Sequence, residues 1–446
     1  MSLFQRVEPQ LLDGALIIIR TLHENGYQGY FAGGAARDLL LGKDISDIDI
    51  ATSASPSDVE DLFSKTVPLG KEFGVMVVVI NSNNYEVTTF RSESDYTDGR
   101  HPARVGFTDA RQDVHRRDFT VNALFLNPVT EEVIDYVEGR KDLERKLIRT
   151  VGPPEERFEE DKLRILRAVR FSSQLGFEIE EQTYSELLRR SQELTAVSRE
   201  RIRDELLKIL TGPYPSKGIQ LLSKCKILKG VLPEVDDMDE VPQPPEFHPE
   251  GDVLTHTLLM FDLSGGNLSA VLALGILLHD VGKPPTLSVQ ERIRFDGHAE
   301  VGARMAYDIC RRLRLSNEQT DQIVDLVAHH LRFIHVRDMR ESKLKRFLRK
   351  NNIEEHLELH RLDCLASHGD LSSYHFCRTR LVEMDTQELR PDPLLNGNDL
   401  IVLNLEPGPI FSEILAAVED LQLENKLTGK IQALDWVREH YVNSNR

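Results

Sequence analysis

Asp47 and Asp49 are separated by a single residue, a spacing that suits metal-assisted chemistry. On a strand this spacing places both carboxylates on one face and the alternating Ile48 and Ile50 on the other, in a core. Neighbouring carboxylates repel each other unless a cation lies between them, and Mg²⁺ with phosphate oxygens is a usual partner. The pair therefore predicts a phosphoryl-transfer site. The alternative is a solvated acidic strand end.

A double glycine precedes this pair. Gly33 and Gly34 separate a short apolar run from a segment of good helix formers that contains Arg37. Glycines let the backbone approach a phosphate closely, and the free N–H groups at a helix start favour an anion. Arg37 is placed to add a charged hydrogen bond. The segment predicts a phosphate-binding turn.

A second constellation lies in the other half of the chain. An apolar helix pattern ends at His279-Asp280, so both side chains are expected to be buried and able to reach one ion. Imidazole and carboxylate together suit Mn, Fe, Ni, Zn or Mg. A lone buried histidine is usually a hydrogen-bonded core residue, but here further candidates follow in order. They are His256, His298, His329-His330 and Asp363.

The composition of the chain limits the classes of protein in which these residues could act. The 446 residues suggest about three domains, and 40% hydrophobic with 29% charged residues is typical of globular proteins. No apolar run approaches the ~20 residues of a membrane span, and no signal-peptide pattern is visible. We therefore expect a cytoplasmic protein with no membrane partner. The net charge of −18 argues against sequence-blind nucleic-acid binding, so any RNA must be bound through local patches and shape.

The order of strand and helix patterns along the chain predicts an α+β protein. A small head with a mixed or antiparallel sheet, including a hairpin of Val75–Ile80 and Tyr85–Phe90, precedes an all-helical neck and body. From Phe158 to Tyr214 the pattern is helical without strand signals, and from about residue 250 it is helical almost throughout. A proline-rich linker at Val241–Glu246 separates the two helical regions. We predict a head at 1–150, a neck at 151–240, a histidine-rich domain at 250–375 and a helical tail at 376–446.

Five ordered motifs in the first half carry a family resemblance. Gly33–Asp38 followed by Asp47-Ile48-Asp49 resembles the head domain of class II tRNA nucleotidyltransferases and bacterial poly(A) polymerases, within the polymerase β-like superfamily. The later segments that match in order are Thr89–Arg91 with Tyr96–Pro102, Arg116–Leu124, Glu160–Phe171 and Ser198–Ile202.

The resemblance implies roles in the head. Asp47 and Asp49 would hold the catalytic Mg²⁺, and Glu86 would be a third carboxylate, or else a solvent-facing strand residue. Gly33, Gly34 and Arg37 would bind the triphosphate, and Arg117 would contact the nucleotide. Asp118 and Asn122 fit better as a structural network that holds head to neck.

The segment after Glu160 resembles the nucleotide-selecting helix of the family. On a helix, Arg164, Arg167 and Arg170 would lie on one side together with Asp161. An aspartate accepts from an exocyclic amine and an arginine donates to a ring nitrogen or carbonyl, so the pair can read a Watson–Crick edge. The resemblance implies that C and A are accepted. The alternative is an ordinary salt-bridged neck helix.

The histidine-rich half resembles HD-domain metal-dependent phosphohydrolases. His256, His279, Asp280 and Asp363 match the metal ligands, and His298 with one of His329 and His330 would match the additional histidines of larger HD sites. The implied metal is a transition metal, such as Ni²⁺, Mn²⁺, Fe or Co²⁺, or Mg²⁺. The alternative is a relic HD fold that only binds RNA.

Together the resemblances imply template-independent addition of CCA, or its terminal A, to the tRNA acceptor arm from CTP and ATP, with a probable HD phosphohydrolase activity. The family's flexible loop, which accompanies A addition, would fall at Ser92–Thr108, so CC-only addition is disfavoured. Poly(A) polymerase and a chain that is mainly an HD phosphohydrolase are the alternatives. We expect a monomer or homodimer.

Overall fold

The computed structural model describes residues 3–96, 102–384 and 389–442, with the backbone alone at 93–96 and 102–105. The chain divides into two compact units, Met1–Asp236 with Gly265–Asn267, and Asp237–Ser264 with Leu268–Arg446. This is a coarser division than the four predicted domains, whose boundaries stay a prediction. Part of the predicted flexible loop, residues 97–101, lies outside the described residues.

The strands of the first unit are short, and most belong to one sheet. They are β1 (Gly29–Ala32), β2 (Ile50–Thr52), β3 (Thr66–Gly70), β4 (Val75–Ile80), β5 (Asn83–Thr89), β6 (Arg91–Tyr96), β7 (Pro102–Phe107), β8 (Leu124–Asn127), β9 (Glu132–Asp135), β10 (Leu147–Ile148) and β11 (Glu178–Ile179).

The main sheet is mixed, as predicted. Its strand order is β3-β4-β5-β2-β1-β8-β9, and β2 runs parallel to β5 while the other neighbours are antiparallel. Strands β6 and β7 form a separate hairpin. The two-residue strands β10 and β11 pair in parallel, so the expectation of no strand after Phe158 is wrong at Glu178–Ile179. A ladder this short depends on its distant partner and leaves no periodic signal in the sequence.

The predicted hairpin of β4 and β5 is confirmed, with a tighter turn than the asparagine run suggests. Asn81 and Ser82 have φ of +50° and +68°, which suits a two-residue turn between twisted strands. On β5, Tyr85 and Val87 are buried while Glu86 is exposed. The alternation therefore directs Glu86 away from the core.

Helices cover this sheet and continue into the rest of the first unit. They are α1 (Pro9–Glu24), α2 (Gly33–Leu40), α3 (Pro56–Leu62), α4 (Ala110–His115), α5 (Gly139–Arg145), α6 (Pro154–Glu160), α7 (Leu163–Leu175), α8 (Glu181–Arg190), α9 (Arg199–Leu210), α10 (Pro215–Lys224), α11 (Leu228–Val231) and α12 (Pro233–Asp236).

An ion pair and an amide connect the head to α7. Asp118, only 9% exposed, accepts from Nε of Arg167 at 2.8 Å, and Asn122 lies beside it with Nδ2 3.5 Å from Asp118. Asn122 in turn accepts from Nη1 of Arg37 at 2.6 Å. The expectation that Asp118 and Asn122 link head and neck agrees with these contacts.

The second unit is helical apart from one small hairpin. Its helices are α13 (Val253–Ser264), α14 (Ala270–Leu278), α15 (Lys283–Thr286), α16 (His298–Arg312), α17 (Asn317–His329), α18 (Glu341–Leu348), α19 (Ile353–Ala366), α20 (Ser372–Glu383), α21 (Gly397–Val402), α22 (Pro409–Leu423) and α23 (Lys430–Val437). The hairpin pairs β12 (Ser288–Val289) with β13 (Ile293–Arg294), which the helical prediction missed. Across the described ranges, every helix is too short or too polar to cross a membrane.

The Asp118–Arg167 pair generates a pH-dependent stability prediction. Burial alone would raise the pKa of Asp118, but Arg167 and Arg164 lower it to about 2, against about 3.9 in an unfolded chain. The carboxylate therefore stabilises the fold fully above pH 5, by roughly 2–3 kcal/mol, and this contribution is lost as the pH falls through 2. We expect Asp118→Asn to lower the free energy of unfolding at pH 7, with a difference from wild type that shrinks between pH 5 and pH 2.

Urea denaturation at a series of pH values measures this difference. The exposed Asp44→Asn serves as the matched control and should follow wild type at every pH. A constant difference between wild type and Asp118→Asn from pH 7 to pH 2 would contradict the assignment.

Candidate functional site

The double glycine forms the turn between β1 and α2. Gly33 has a φ of +59°, a conformation that other residues rarely adopt. A Cβ at Gly33 would lie 3.7 Å from Nη1 of Arg117 and 3.9 Å from Oδ2 of Asp49. The bare backbone at the start of α2 therefore faces both a carboxylate and a guanidinium.

The two aspartates alternate with buried isoleucines, as predicted, but they lie just before β2 and not on it. Ile48 and Ile50 are each 1% exposed, whereas Asp47 is exposed and Asp49 is half-buried. The strand begins only at Ile50. The backbone carbonyl of Asp49 still accepts from the Ala32 N–H at 3.0 Å, which ties the segment to β1.

Crowding of negative charge marks Asp49. Burial, Glu86 and Asp47 raise the pKa of Asp49 to about 6, and Arg117 opposes them. Because Ile50 pairs with Val87 in the parallel ladder, Glu86 is brought beside the segment that carries Asp49. A hard divalent cation with oxygen ligands would relieve this repulsion, and three carboxylates are a suitable donor set.

The arginines predicted to bind the nucleotide are oriented by carboxylates. Arg37 makes two hydrogen bonds to Asp38, from Nε at 2.9 Å and Nη2 at 2.6 Å. Arg117 donates to Asp113 from Nε at 3.1 Å and Nη2 at 2.9 Å, and it lies over the ring of Phe125. Both guanidiniums line the same cavity as Asp49. Each is therefore held in place before any ligand arrives.

The prediction that Asp161 lies on the selecting helix is wrong. Its backbone is extended (φ −145°, ψ 105°), so it ends α6. The reason is local, since Oδ1 of Asp161 accepts from the Leu163 N–H at 3.0 Å and thereby starts the next helix, α7. Its other oxygen, Oδ2, accepts from Nη2 of Arg201 at 2.7 Å. Asp161 is thus fixed at a helix junction by Arg201, to which the sequence reasoning assigned no role.

The three arginines of α7 are engaged with neighbours, contrary to the expectation of a free face. Arg164 contacts Glu160 and donates to the carbonyls of Arg157 (3.1 Å) and Arg116 (3.0 Å), and it is not paired with Asp161. Arg167 pairs with Asp118 and Arg170 pairs with Glu205. All three arginines nevertheless line the cavity.

One cavity in the first unit brings the predicted head residues together. It has a volume of about 1040 Å³, which is ample for a nucleotide with its triphosphate. Its lining contains every residue predicted for the nucleotidyltransferase site in the head and neck, namely Asp47, Asp49, Glu86, Gly33, Gly34, Arg37, Arg117, Asp161, Arg164, Arg167 and Arg170. Arg201 and Lys208 of α9 also line it and were missed, because only folding brings α9 against the cavity.

The second unit contains a separate histidine cluster. Nδ1 of His279 lies 2.8 Å from the carbonyl of Ile276, and Nδ1 of His298 and of His330 make equivalent contacts at 2.8 and 2.7 Å. A hydrogen bond that fixes the proton on Nδ1 leaves Nε2 as a lone pair, which is the usual state of a metal ligand. Three histidines oriented in this way could therefore bind a metal through Nε2.

The Nε2 atoms of these histidines converge. Nε2 of His298 and Nε2 of His330 are 3.3 Å apart, and burial lowers the pKa of His330 to about 4, so its ring is neutral at pH 7. Nε2 of His279 is buried and lies 3.1 Å from Oδ2 of Asp280 without meeting the geometry of a hydrogen bond. Lone pairs that face one another in this way could coordinate a cation. Asp280 lies between the two sides, with Oδ2 3.1 Å from His279 and Oδ1 3.5 Å from His298.

His256 is held between two carboxylates. Nε2 of His256 is 3.1 Å from Asp363, and Nδ1 is 2.6 Å from Glu250. Burial alone would lower the pKa of His256, but the hydrogen bonds that its ring donates to Asp363 and Glu250 raise it to about 9. Glu250 also contacts Nδ1 of His248 at 2.9 Å. His248 and Glu250 were missed, and their only signal is that they lie just upstream of His256.

The structure groups the predicted HD residues into two sets of ligand atoms. Each set lies within 4.8 Å and could hold a metal ion, and the sets are His256 with His279 and Asp363, and Asp280 with His298 and His330. Of the adjacent histidines, only His330 joins the cluster. His329 turns instead to Asp325, with Nδ1 2.8 Å from the carboxylate.

Family models match three parts of the chain. The Poly A polymerase head domain matches residues 29–149, the probable RNA and SrmB- binding site of polymerase A matches 176–239, and the HD domain matches 253–366. The match to the Poly A polymerase head domain falls in the first unit and the match to the HD domain falls in the second, as the motifs predicted.

Curated relatives match about half of the chain. The CCA-adding enzyme of Bacillus pumilus is 50% identical over 214 residues, which are 48% of this chain and 53% of the relative. That of Staphylococcus aureus is 41% identical over 239 residues, 53% of this chain and 57% of the relative. The alignments span about half the length of these curated relatives.

A solved structure extends the comparison along the chain. The CCA-adding enzyme of Bacillus stearothermophilus, in complex with CTP, matches with a TM-score of 0.75 and 28% identity over 98% of this chain and 99% of that one. The Thermotoga maritima CCA-adding enzyme complexed with tRNA_CCA has a TM-score of 0.59 and 19% identity, covers 100% of this chain and 98% of that one, and supports the fold alone.

The two adjacent histidines at the end of α17 allow a matched test of the metal cluster. We expect His330→Ala to reduce divalent-metal binding strongly, because it removes a converging Nε2, and His329→Ala to retain it. Elemental analysis of untagged protein after dialysis against Mn²⁺, Co²⁺ or Ni²⁺ measures the stoichiometry. Equal metal content in the two variants would contradict the assignment of His330.

Proposed function

We propose that the first unit transfers nucleotides from CTP and ATP to the 3′ end of tRNA and builds its CCA terminus. The observation that carries this proposal is a single cavity with three carboxylates (Asp47, Asp49 and Glu86) and, in the same lining, Asp161 with arginines suited to reading a base. The names of the curated relatives and the CTP-bound structure support the same activity.

The carboxylates suit Mg²⁺, which we propose that Asp47, Asp49 and Glu86 would hold. Bound there, Mg²⁺ would activate the 3′-hydroxyl and neutralise charge on the triphosphate as pyrophosphate leaves. The backbone N–H groups at Gly33 and Gly34 would cradle the triphosphate at the start of α2. Arg37 would add positive charge at the same turn, and its orientation is already fixed by Asp38.

Base choice would depend on Asp161 and Arg164. Cytosine and adenine both present an exocyclic amine beside an unprotonated ring nitrogen. A carboxylate can accept a hydrogen bond from the amine, and a guanidinium can donate one to the ring nitrogen. Uracil and guanine present a carbonyl beside a ring N–H at that edge, so both hydrogen bonds are lost. Arg201 would act as a positioning residue, because it holds Oδ2 of Asp161 at 2.7 Å.

RNA recognition would use shape and local phosphates. The net charge of −18 disfavours broad electrostatic binding, whereas duplex RNA is recognised largely through its shape and backbone. The match of residues 176–239 to a probable RNA-binding region of polymerase A supports contact with RNA after the head. We propose the tRNA acceptor arm as the partner.

We propose a second activity, metal-dependent phosphohydrolysis, for the second unit. The specific observation in its favour is the convergence of Nε2 atoms from His279, His298 and His330 around Asp280. Mixed imidazole and carboxylate ligands suit Ni²⁺, Mn²⁺, Fe or Co²⁺ as well as Mg²⁺. A phosphoester that blocks an RNA 3′ end, such as a 2′,3′-cyclic phosphate, is a reasonable substrate for an enzyme that also extends such ends.

The carboxylates of the head give the first functional prediction. Asp47→Ala and Asp49→Asn should each reduce nucleotide addition to a few per cent of wild type or less, because each removes a charged metal ligand. Asp44→Ala, an exposed aspartate of the same segment, is the matched control and should remain active. Asp280→Asn should spare addition and abolish phosphoester hydrolysis.

Addition of CMP and AMP to truncated tRNA, followed on gels, measures these rates. Substantial addition by Asp47→Ala or Asp49→Asn would refute the metal assignment. Loss of addition in Asp280→Asn would show that the two activities are not independent.

Base discrimination gives the second functional prediction. Asp161→Ala or Arg164→Ala should reduce the preference for CTP and ATP over UTP and GTP roughly ten- to a hundred-fold, the value of a hydrogen bond to a charged group. The exposed Arg189→Ala on α8 is the control. Incorporation rates for each of the four nucleotides measure the effect. A uniform loss of rate with unchanged preference would indicate a structural role instead.

A further inference from the structure

A pair of arginines stands at the opening beside the histidine cluster. Arg292 and Arg294 belong to the β12–β13 hairpin and are separated by Ile293, which pairs with Val289. Both arginines are exposed, and neither forms an ion pair with any described residue. Arg294 is in β13 and Arg292 lies in the turn just before it, and both line one cavity. Two unpaired guanidiniums that line one cavity suit a phosphate ligand.

The hairpin and the histidine cluster line the same cavity. This cavity measures about 570 Å³, and Arg292 and Arg294 line it together with Asp280, His298, His330 and Asp363. A volume of this size holds a whole nucleotide and greatly exceeds one phosphate group. The cavity therefore has room for a substrate with more than the group that reacts.

Two aromatic side chains also line this cavity. Phe247 is 61% exposed, and Phe295, at the end of the hairpin, lies 6.5 Å from His298 between ring centroids. Phe295 is half-buried, and its ring centroid lies 5.4 Å from Nζ of Lys283. Aromatic faces are surfaces on which unpaired bases stack. Phe247 and Phe295 therefore suit the base of a nucleotide.

The other charges of the cavity leave the arginines as its accessible cations. Lys283 is buried and committed, with Nζ 2.6 Å from Asp280 and 2.6 Å from Gln243. Glu246 and Asp296 are exposed in the lining and would repel a phosphate placed near them. An anion distant from the metal ligands is therefore best placed at Arg292 and Arg294.

We propose that the HD cavity takes a nucleotide with two phosphate groups, one to be hydrolysed at the histidine cluster and a second, on the 5′ oxygen, bound by Arg292 and Arg294. The reaction adds water to phosphorus and breaks the bond to the ribose 2′ or 3′ oxygen, which receives a proton while phosphate is released. This substrate class rests on the proposed phosphohydrolase activity. The second phosphate belongs either to an RNA chain or to a free nucleoside bisphosphate.

The test measures phosphate release by the full-length, metal-loaded protein. The substrates are p-nitrophenyl phosphate, a nucleoside 3′-monophosphate, a nucleoside 3′,5′-bisphosphate and a short RNA with a 3′-phosphate. Wild type should prefer the last two in kcat/KM. Arg292→Ala and Arg294→Ala should each lower kcat/KM for them roughly ten- to a hundred-fold, mainly through KM. The exposed Arg304→Ala on α16 is the control.

The possible results distinguish a failure of the bisphosphate proposal from a failure of the phosphohydrolase proposal. Hydrolysis of no substrate, with any added metal, refutes the phosphohydrolase proposal itself. Hydrolysis with equal preference for mono- and bisphosphates, or variants that retain the wild-type preference, overturns the role of the arginines. A preference for the RNA over the free bisphosphate identifies an RNA end as the source, and the reverse identifies a free nucleotide. In both cases the salt dependence of KM should weaken in the variants.

Discussion

Repulsion among three carboxylates is the constraint on which the first unit depends. The parallel pairing of β2 with β5 brings Glu86 beside Asp49, and Asp47 adds a third negative charge. Burial of Asp49, together with these two neighbouring charges, raises its pKa to about 6, well above the ordinary value for an aspartate. A fold does not gain stability from such an arrangement, so the crowding is best explained by a positively charged ligand. The arginines that line the same cavity form ion pairs largely with other carboxylates. The negative charge of the three carboxylates therefore remains largely uncompensated.

In the second unit the groups brought together are histidine lone pairs, and a cation would again be the matching ligand. Burial lowers the pKa of His330 to about 4, and its Nε2 lies 3.3 Å from Nε2 of His298, where a cation could be bound by both nitrogens. Each ring is oriented from outside the cluster, by a backbone carbonyl for His279, His298 and His330 and by Glu250 for His256. These outer hydrogen bonds fix the ligands before any metal binds. The two clusters lie in different units, so each can be altered separately.

Sequence reasoning succeeded where local periodicity determines placement. The alternation of Asp47 and Asp49 with buried isoleucines follows from strand geometry, and the burial of His279 follows from the apolar helix before it. The same reasoning failed where a side chain has several possible hydrogen-bond partners nearby. Asp161 uses one oxygen to start α7, so the helix is interrupted at the residue that was expected to lie within it. Contacts between distant segments, such as that of Arg201 with Asp161, leave no periodic trace.

We propose that the first unit adds C and A to tRNA in an order set by the RNA end. Purified protein is incubated with tRNAs that end at the discriminator base, at C or at CC, each with one nucleoside triphosphate at a time. We expect C addition to the first two from CTP, a single A on the CC end from ATP, and no extension by UTP or GTP. Long adenylate tails on every end, or no extension of any end, would contradict it.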